Sequence, residues 1–185
     1  MNDILDKIYR GLRFLTDKVV GYSAAVVMLG ATGLALLEIL RRYVFGVTFH
    51  WGQDAVTYFI VGSIFLFFAV TQARRSHLAM SAILDLLKAK GYIRTVLYVR
   101  TIVSVLSLAF YASFAWWGLP SVERVYELGR MTQSMLIVMW PFQAALLVGF
   151  SLMALISAFQ LYQDVQAILG RKVFPWAETE EGLEI

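Results

Sequence analysis

Haem ligation, metal binding and nucleophilic catalysis each need particular side chains at particular spacings, and this sequence supplies few of them. Its two histidines, His50 and His77, flank one apolar stretch and therefore fall on opposite sides of whatever that stretch crosses, so they cannot face each other as a pair of axial ligands. Cysteine is absent, which removes disulfides, thiolate nucleophiles, iron–sulfur clusters and cysteine-bound zinc. No Ser–His–acid grouping, HExxH or GxxxxGK run occurs. Ser104 and Ser107 stand in an apolar run and are expected to pack helices. Gln143 and Gln160 are expected to hydrogen-bond to a neighbouring helix.

The elements that carry these residues follow from where charge is missing. There is no Asp, Glu, Lys or Arg between Lys18 and Glu38, Asp54 and Arg74, Arg100 and Glu123, or Arg130 and Asp164, gaps of 19, 19, 22 and 33 residues. At a rise of about 1.5 Å per residue, even the shortest makes a helix of about 28 Å, close to the hydrocarbon thickness of a bilayer. Across the 185 residues 59% are apolar, 16% are charged and the mean hydropathy is +0.68, too apolar for a water-soluble domain. The stretches are expected to be helices, because a bilayer offers no water to satisfy backbone groups and a helix pairs them internally. A β-barrel would need alternating strands, whereas residues 61–70 read VGSIFLFFAV, apolar on both faces.

The expectation is an all-α integral membrane protein with four transmembrane helices over about 19–40, 54–73, 95–122 and 137–162. They form one membrane domain spanning residues 1–165, followed by a cytoplasmic tail, residues 166–185. The first run is too long for a signal-peptide core and is followed by Glu38 and Arg41, so it reads as a retained helix. If the helices alternate, twelve basic residues, among them Lys7, Arg10, Arg13, Lys18, Arg74 and Arg75, fall on the side of the termini, against Arg41, Arg42, Arg124 and Arg130 on the other. The positive-inside rule then places both termini in the cytoplasm. The net charge of +3 is no sign of nucleic-acid binding, since the basic residues flank the spans.

Short amphipathic segments flank the spans. Ile4, Leu5, Ile8, Leu12 and Leu15 recur at helical spacing beside Lys7, Arg10 and Arg13, which describes either an interfacial helix or an extension of the first span. Met80, Ile83, Leu84, Leu86 and Leu87 stand beside Asp85, Lys88 and Lys90 and suggest another interfacial helix, capped by Gly91. Gly21, Gly30, Ala31, Gly33 and Ala35 in the first span would allow a close neighbour or would face lipid. Pro141 suits an early turn of the last helix.

Pumps and proton relays place ionisable groups at mid-membrane depth, and the four cores contain no acid, base or histidine. The densest local pattern lies at the end of the first span, where Glu38 stands one helical turn before Arg41 and Arg42 and is expected to pair with them. Tyr43 and Trp51 would anchor the interface, and Trp116 and Trp117 stand near the outer end of the third span, where aromatic belts sit.

These residues also carry a family likeness. Glu38, Arg42, Tyr43 and Phe45 form ExxxRYxF, Trp51 and Asp54 form W-x-x-acid, an aromatic second helix leads to Arg74, Arg75 and His77, and Met139-Trp140 precedes a VGFxLMAL segment over residues 148–155. In this order, over about residues 30–160, the chain resembles the small membrane subunit of tripartite ATP-independent periplasmic (TRAP) transporters. It departs from the family pattern at Ser81, Val138 and Leu147, and Pro141 is additional. The resemblance implies a non-catalytic, cofactor-free subunit in a bacterial or archaeal inner membrane. Its partners would be a large permease subunit, a periplasmic substrate-binding protein and membrane lipids, working in sodium-coupled uptake of an organic anion. By the same resemblance Glu38, Arg42, Tyr43, Trp51, Asp54 and Trp140 would form an outer rim and Arg74, Arg75 and His77 an inner one. The alternatives left by the residues alone are a membrane anchor of a redox or other enzyme complex and a self-sufficient small carrier.

Overall fold

The structure, a computed structural model, describes residues 2–47, 49–75, 86, 92–132, 138–174 and 176. His77, the 80–90 segment with its Gly91 cap, Ser81 and the acidic end of the tail lie outside the described residues. Among those described, the elements are helical, joined by one isolated antiparallel bridge between Met131 and Val138. A continuous helical rod opens the chain, comprising α1 (Asn2–Phe14), a π-helical stretch (Leu15–Val20), α2 (Gly21–Leu40) and a second π-helical stretch (Arg41–Phe45). After it come α3 (Gly52–Ala73), α4 (Ile93–Glu127) and α5 (Trp140–Ile168).

Four of these helices are long and apolar enough to cross a membrane: Ile4–Phe45, Gly52–Ala73, Arg94–Glu127 and Trp140–Ile168. Each runs past its charge-free core because a helix does not end where charge begins. Charged ends project from the hydrocarbon while backbone pairing continues. Several serine and threonine hydroxyls within the helices are satisfied locally: Thr57 donates to the Gln53 carbonyl at 2.8 Å, Ser63 to Phe59 at 2.7 Å and Thr101 to Leu97 at 3.0 Å. Helix α4 continues through Pro120, which costs it the backbone bond to the Trp116 carbonyl. Pro141 sits in the first turn of α5, where its missing N–H is no loss. Gly129 and Gly170, with φ of +54° and +74°, end α4 and α5. Each is followed by a backbone bond back to the last turn, Arg130 to Val125 and Arg171 to Gln166.

The closely packed neighbours are α2 with α3, α3 with α5 and α5 with α4, so the helices stand in the order α2, α3, α5, α4 and the first and last are flanks. Two helix backbones come close at Gly149, where a Cβ would stand 3.2 Å from the Phe65 carbonyl oxygen. On α2, Ala24 and Ala31 are buried, and Gly21 faces Val70 of α3. Gly30 and Gly33 have open space around them, so of the small residues in the first span only part serves helix packing within this chain. The outer faces of the flanks are apolar and uncovered, with Leu29 on α2 and Trp116 and Trp117 on α4 each about three-quarters exposed, at 73%, 77% and 76%.

Residues 2–14 continue the helix of the first span, and the start of the tail folds back onto them. Phe174 and Trp176 pack with Tyr9 of α1 and Phe159 of α5 into a small aromatic core. The Trp176 indole donates to Asp6 at 2.7 Å, and the guanidinium groups of Arg10 and Arg13 lie over its ring.

Candidate functional site

The residues proposed from sequence divide between the two ends of the molecule. At the end away from the termini, Glu38 reaches α3: a Cβ on Gly52 would stand 2.7 Å from the Glu38 carboxyl carbon, so a side chain there would displace the carboxylate. The carboxylate thereby rests beside the first turn of a helix that lacks a side-chain cap at Trp51, where the helix dipole favours negative charge. Asp54 lies in the same first turn. The expected pairing of Glu38 with Arg41 and Arg42 is absent among the described residues. The backbone is π-helical from Arg41 to Phe45, which takes residues three and four apart out of register. Arg41 instead covers the Phe49 ring at 4.0 Å. Arg42 is exposed, and so is Tyr43, at 83%. Trp51 stacks obliquely on Phe49 at 5.1 Å, and Trp140 meets Tyr126 edge-on at 5.7 Å.

At the end carrying the termini, α3, α4 and α5 are tied together by a buried polar node. Gln72 of α3 donates through Nε2 to Ser157 Oγ at 3.0 Å and Gln160 Oε1 at 2.9 Å. Gln160 Nε2 returns a bond to the Gln72 backbone carbonyl at 2.7 Å, and the Tyr111 hydroxyl donates to Gln72 Oε1 at 3.3 Å. One turn further out, Asp164 of α5, with its side chain 4% exposed, accepts from Arg75 at 2.7 Å and from the Ser104 hydroxyl at 2.5 Å, while Arg100 approaches it to 3.2 Å. Arg75 also donates to the Gln160 backbone carbonyl at 2.9 Å. To reach there it adopts φ +50°, a left-handed conformation that costs a non-glycine residue about 1 to 2 kcal/mol. Bonds to a buried carboxylate offset that cost. Its neighbour Arg74 turns the other way and pairs with Asp17 at 3.3 Å, which ties the first span to the end of α3.

Chemically, the node is a clamp. Its one acid is held by two guanidinium groups and a hydroxyl, and among the described residues no cluster of three His, Cys, Asp or Glu could hold a metal. Gln160 does bond across helices, whereas the Gln143 side-chain carbonyl oxygen is buried without a partner among the described residues. Sequence reading missed Asp164, Arg100, Ser104, Gln72 and Ser157 as one site, because Asp164 and Arg100 served there only to mark where charge-free stretches end. The available signal was their depth and sign: Arg74, Arg75, Arg100 and Asp164 all bound spans on the same side, and a single acid among bases invites pairing.

A comparison with protein-family models matches the DctQ component of tripartite ATP-independent periplasmic transporters over residues 31–167. That stretch includes the node and the Glu38 end but leaves α1 outside. A comparison with curated proteins finds no match.

Proposed function

The chain belongs to the DctQ component family of the tripartite ATP-independent periplasmic transporters, and from that premise we propose that it is the small permease subunit, a non-catalytic scaffold beside a large permease subunit. DctQ components work in TRAP systems with such a permease and with a substrate-binding protein. In this reading the binding protein delivers an organic anion from the periplasm, the large subunit couples its uptake to sodium, and both termini of the chain lie in the cytoplasm of a bacterial or archaeal cell. The observation that carries the scaffold role is the state of the buried charge. Asp164 is already engaged by Arg75, Arg100 and Ser104 of its own chain, so holding it serves rigidity rather than ion or substrate coupling.

Such a node fixes three helices, and a rigid chain can then offer its flanks to a moving partner. We assign the lateral contact to the open face of α2, where Gly30 and Gly33 leave room for another helix to approach. Glu38, Arg42, Tyr43, Trp51, Asp54 and Trp140 belong to the outer rim of that contact. Arg74 and Arg75 serve the inner rim by holding their own chain, with His77 following them in sequence. Reconstitution tests the reading. The chain alone in liposomes should move no solute, and uptake should appear only when the large permease and the binding protein are supplied. Solute flux through the chain alone overturns it, as does a haem absorption band in the purified protein.

A further inference from the structure

The first span is longer than a bilayer requires. Residues Ile4–Phe45 make 42 helical residues, about 63 Å against about 30 Å of hydrocarbon, and α2 with its π-helical ends already fills the membrane. A straight continuation would carry α1 far into water. The contacts show otherwise. Gly21 stands level with Val70 and Asp17 with Arg74, near the end of α3, yet Tyr9, two turns before Asp17, stacks on Phe159 at 5.3 Å. Phe159 adjoins Gln160, which is bonded to Gln72, so it lies level with the last turn of α3. Helix α1 therefore leans back over the end of the bundle, and the π-helical stretch Leu15–Val20 is where the regular ladder is interrupted.

One face of α1 is occupied, since Tyr9, Asp6 and Arg13 meet the folded-back tail. The other is free: Ile4, Ile8, Phe14 and Leu15 are all exposed, at 66%, 52%, 65% and 44%. Lys7 and Lys18, both exposed, border Ile4, Ile8 and Leu15 on one side, and Phe14 lies just beyond them. An apolar stripe edged by lysines, at the depth where the spans end, matches the boundary between acyl chains and headgroups, with ammonium groups reaching toward phosphates.

We propose that α1 is a second, in-plane membrane contact of this chain, its Ile4, Ile8 and Leu15 face lying in the acidic phospholipid surface with Lys7 and Lys18 along one edge. Because α1 is outside the family match, the contact does not depend on the transporter reading. Each lysine near an anionic surface adds about 1 kcal/mol, roughly fivefold in partitioning.

The natural absence of cysteine allows a direct test on the full chain in nanodiscs. Spin labels on Ile8→Cys and Leu15→Cys should be several-fold more accessible to oxygen than to a water-soluble nickel chelate, and a label on Arg10→Cys should show the reverse. In nanodiscs of phosphatidylcholine with phosphatidylglycerol, adding Lys7→Gln and Lys18→Gln should bring the label at position 8 back toward water, with the thermal midpoint unchanged. A label at position 8 as open to nickel as that at position 10 overturns the proposal, and so does one shielded from both reagents, which would mean a protein cover. Equal depth with and without phosphatidylglycerol overturns the acidic-lipid assignment.

Discussion

The two ends of this molecule use similar residues for different ends. Where the termini gather, the buried Asp164, Gln72 and Gln160 and the half-buried Arg75, Arg100 and Ser104 bond to one another across three helices. At the opposite end Glu38 rests against Gly52 while Arg42 and Tyr43 point into open space. A charge removed from solvent must be paired within its own chain or it destabilises the fold. A charge left at the boundary remains available to a partner. The first end should therefore govern the stability of the isolated subunit, and the second its assembly.

The largest effect should come from Asp164→Asn, which keeps the shape but leaves two guanidinium groups without their acid. A loss of about 3 to 5 kcal/mol is expected, read as a lower thermal midpoint of the isolated subunit in detergent. The double variant Asp164→Asn/Arg75→Gln should lose less than the two singles combined, since they share one interaction. Additive losses would mean that the node is not a coupled unit. Next comes Gly149→Val, whose side chain has no room against the Phe65 backbone. It should cost about 1 to 3 kcal/mol by forcing α3 from α5, and an unchanged midpoint would show that the helices slide freely.

At the other end, Gly52→Ala should displace the Glu38 carboxylate, whereas Glu38→Gln removes only a charge near a helix terminus. About 0.3 to 1 kcal/mol is expected for the latter, and chemical denaturation of the two variants side by side ranks them. The smallest effect on the isolated subunit should be that of Arg42→Ala or Tyr43→Ala, within about 0.5 kcal/mol of the parent because neither side chain is buried. Their effect should appear instead as a lower yield of complex when the subunit is purified together with the large permease. If either variant unfolds the subunit yet leaves complex yield intact, the contrast between the ends collapses.

Much of the fold could be read from the chain because a bilayer imposes a simple test: about twenty residues without charge must be helical and must cross. The four spans and the all-helical class follow from that test. The Glu38 cluster was legible as a group but not in its pairing, because the π-helical turns at Arg41–Phe45 shifted the register on which the pairing with Arg42 depended. The 1–18 segment was ambiguous between extension and surface helix for a related reason. Its amphipathic pattern suits both, and only the stacking of Tyr9 on Phe159 and Phe174 shows where it rests.

By itself, then, the sequence determined what the solvent dictates: which stretches leave water, that they are helical, and that no Asp, Glu, Lys, Arg or His sits in their cores. Only the tertiary structure decided which helices are neighbours, that Asp164 meets Arg75 and Arg100, and that the tail closes over α1. The physical reason is range. Transfer from water acts on each segment separately and leaves its mark in local composition, whereas pairing across helices depends on rotation and depth, which a one-turn change in register is enough to alter.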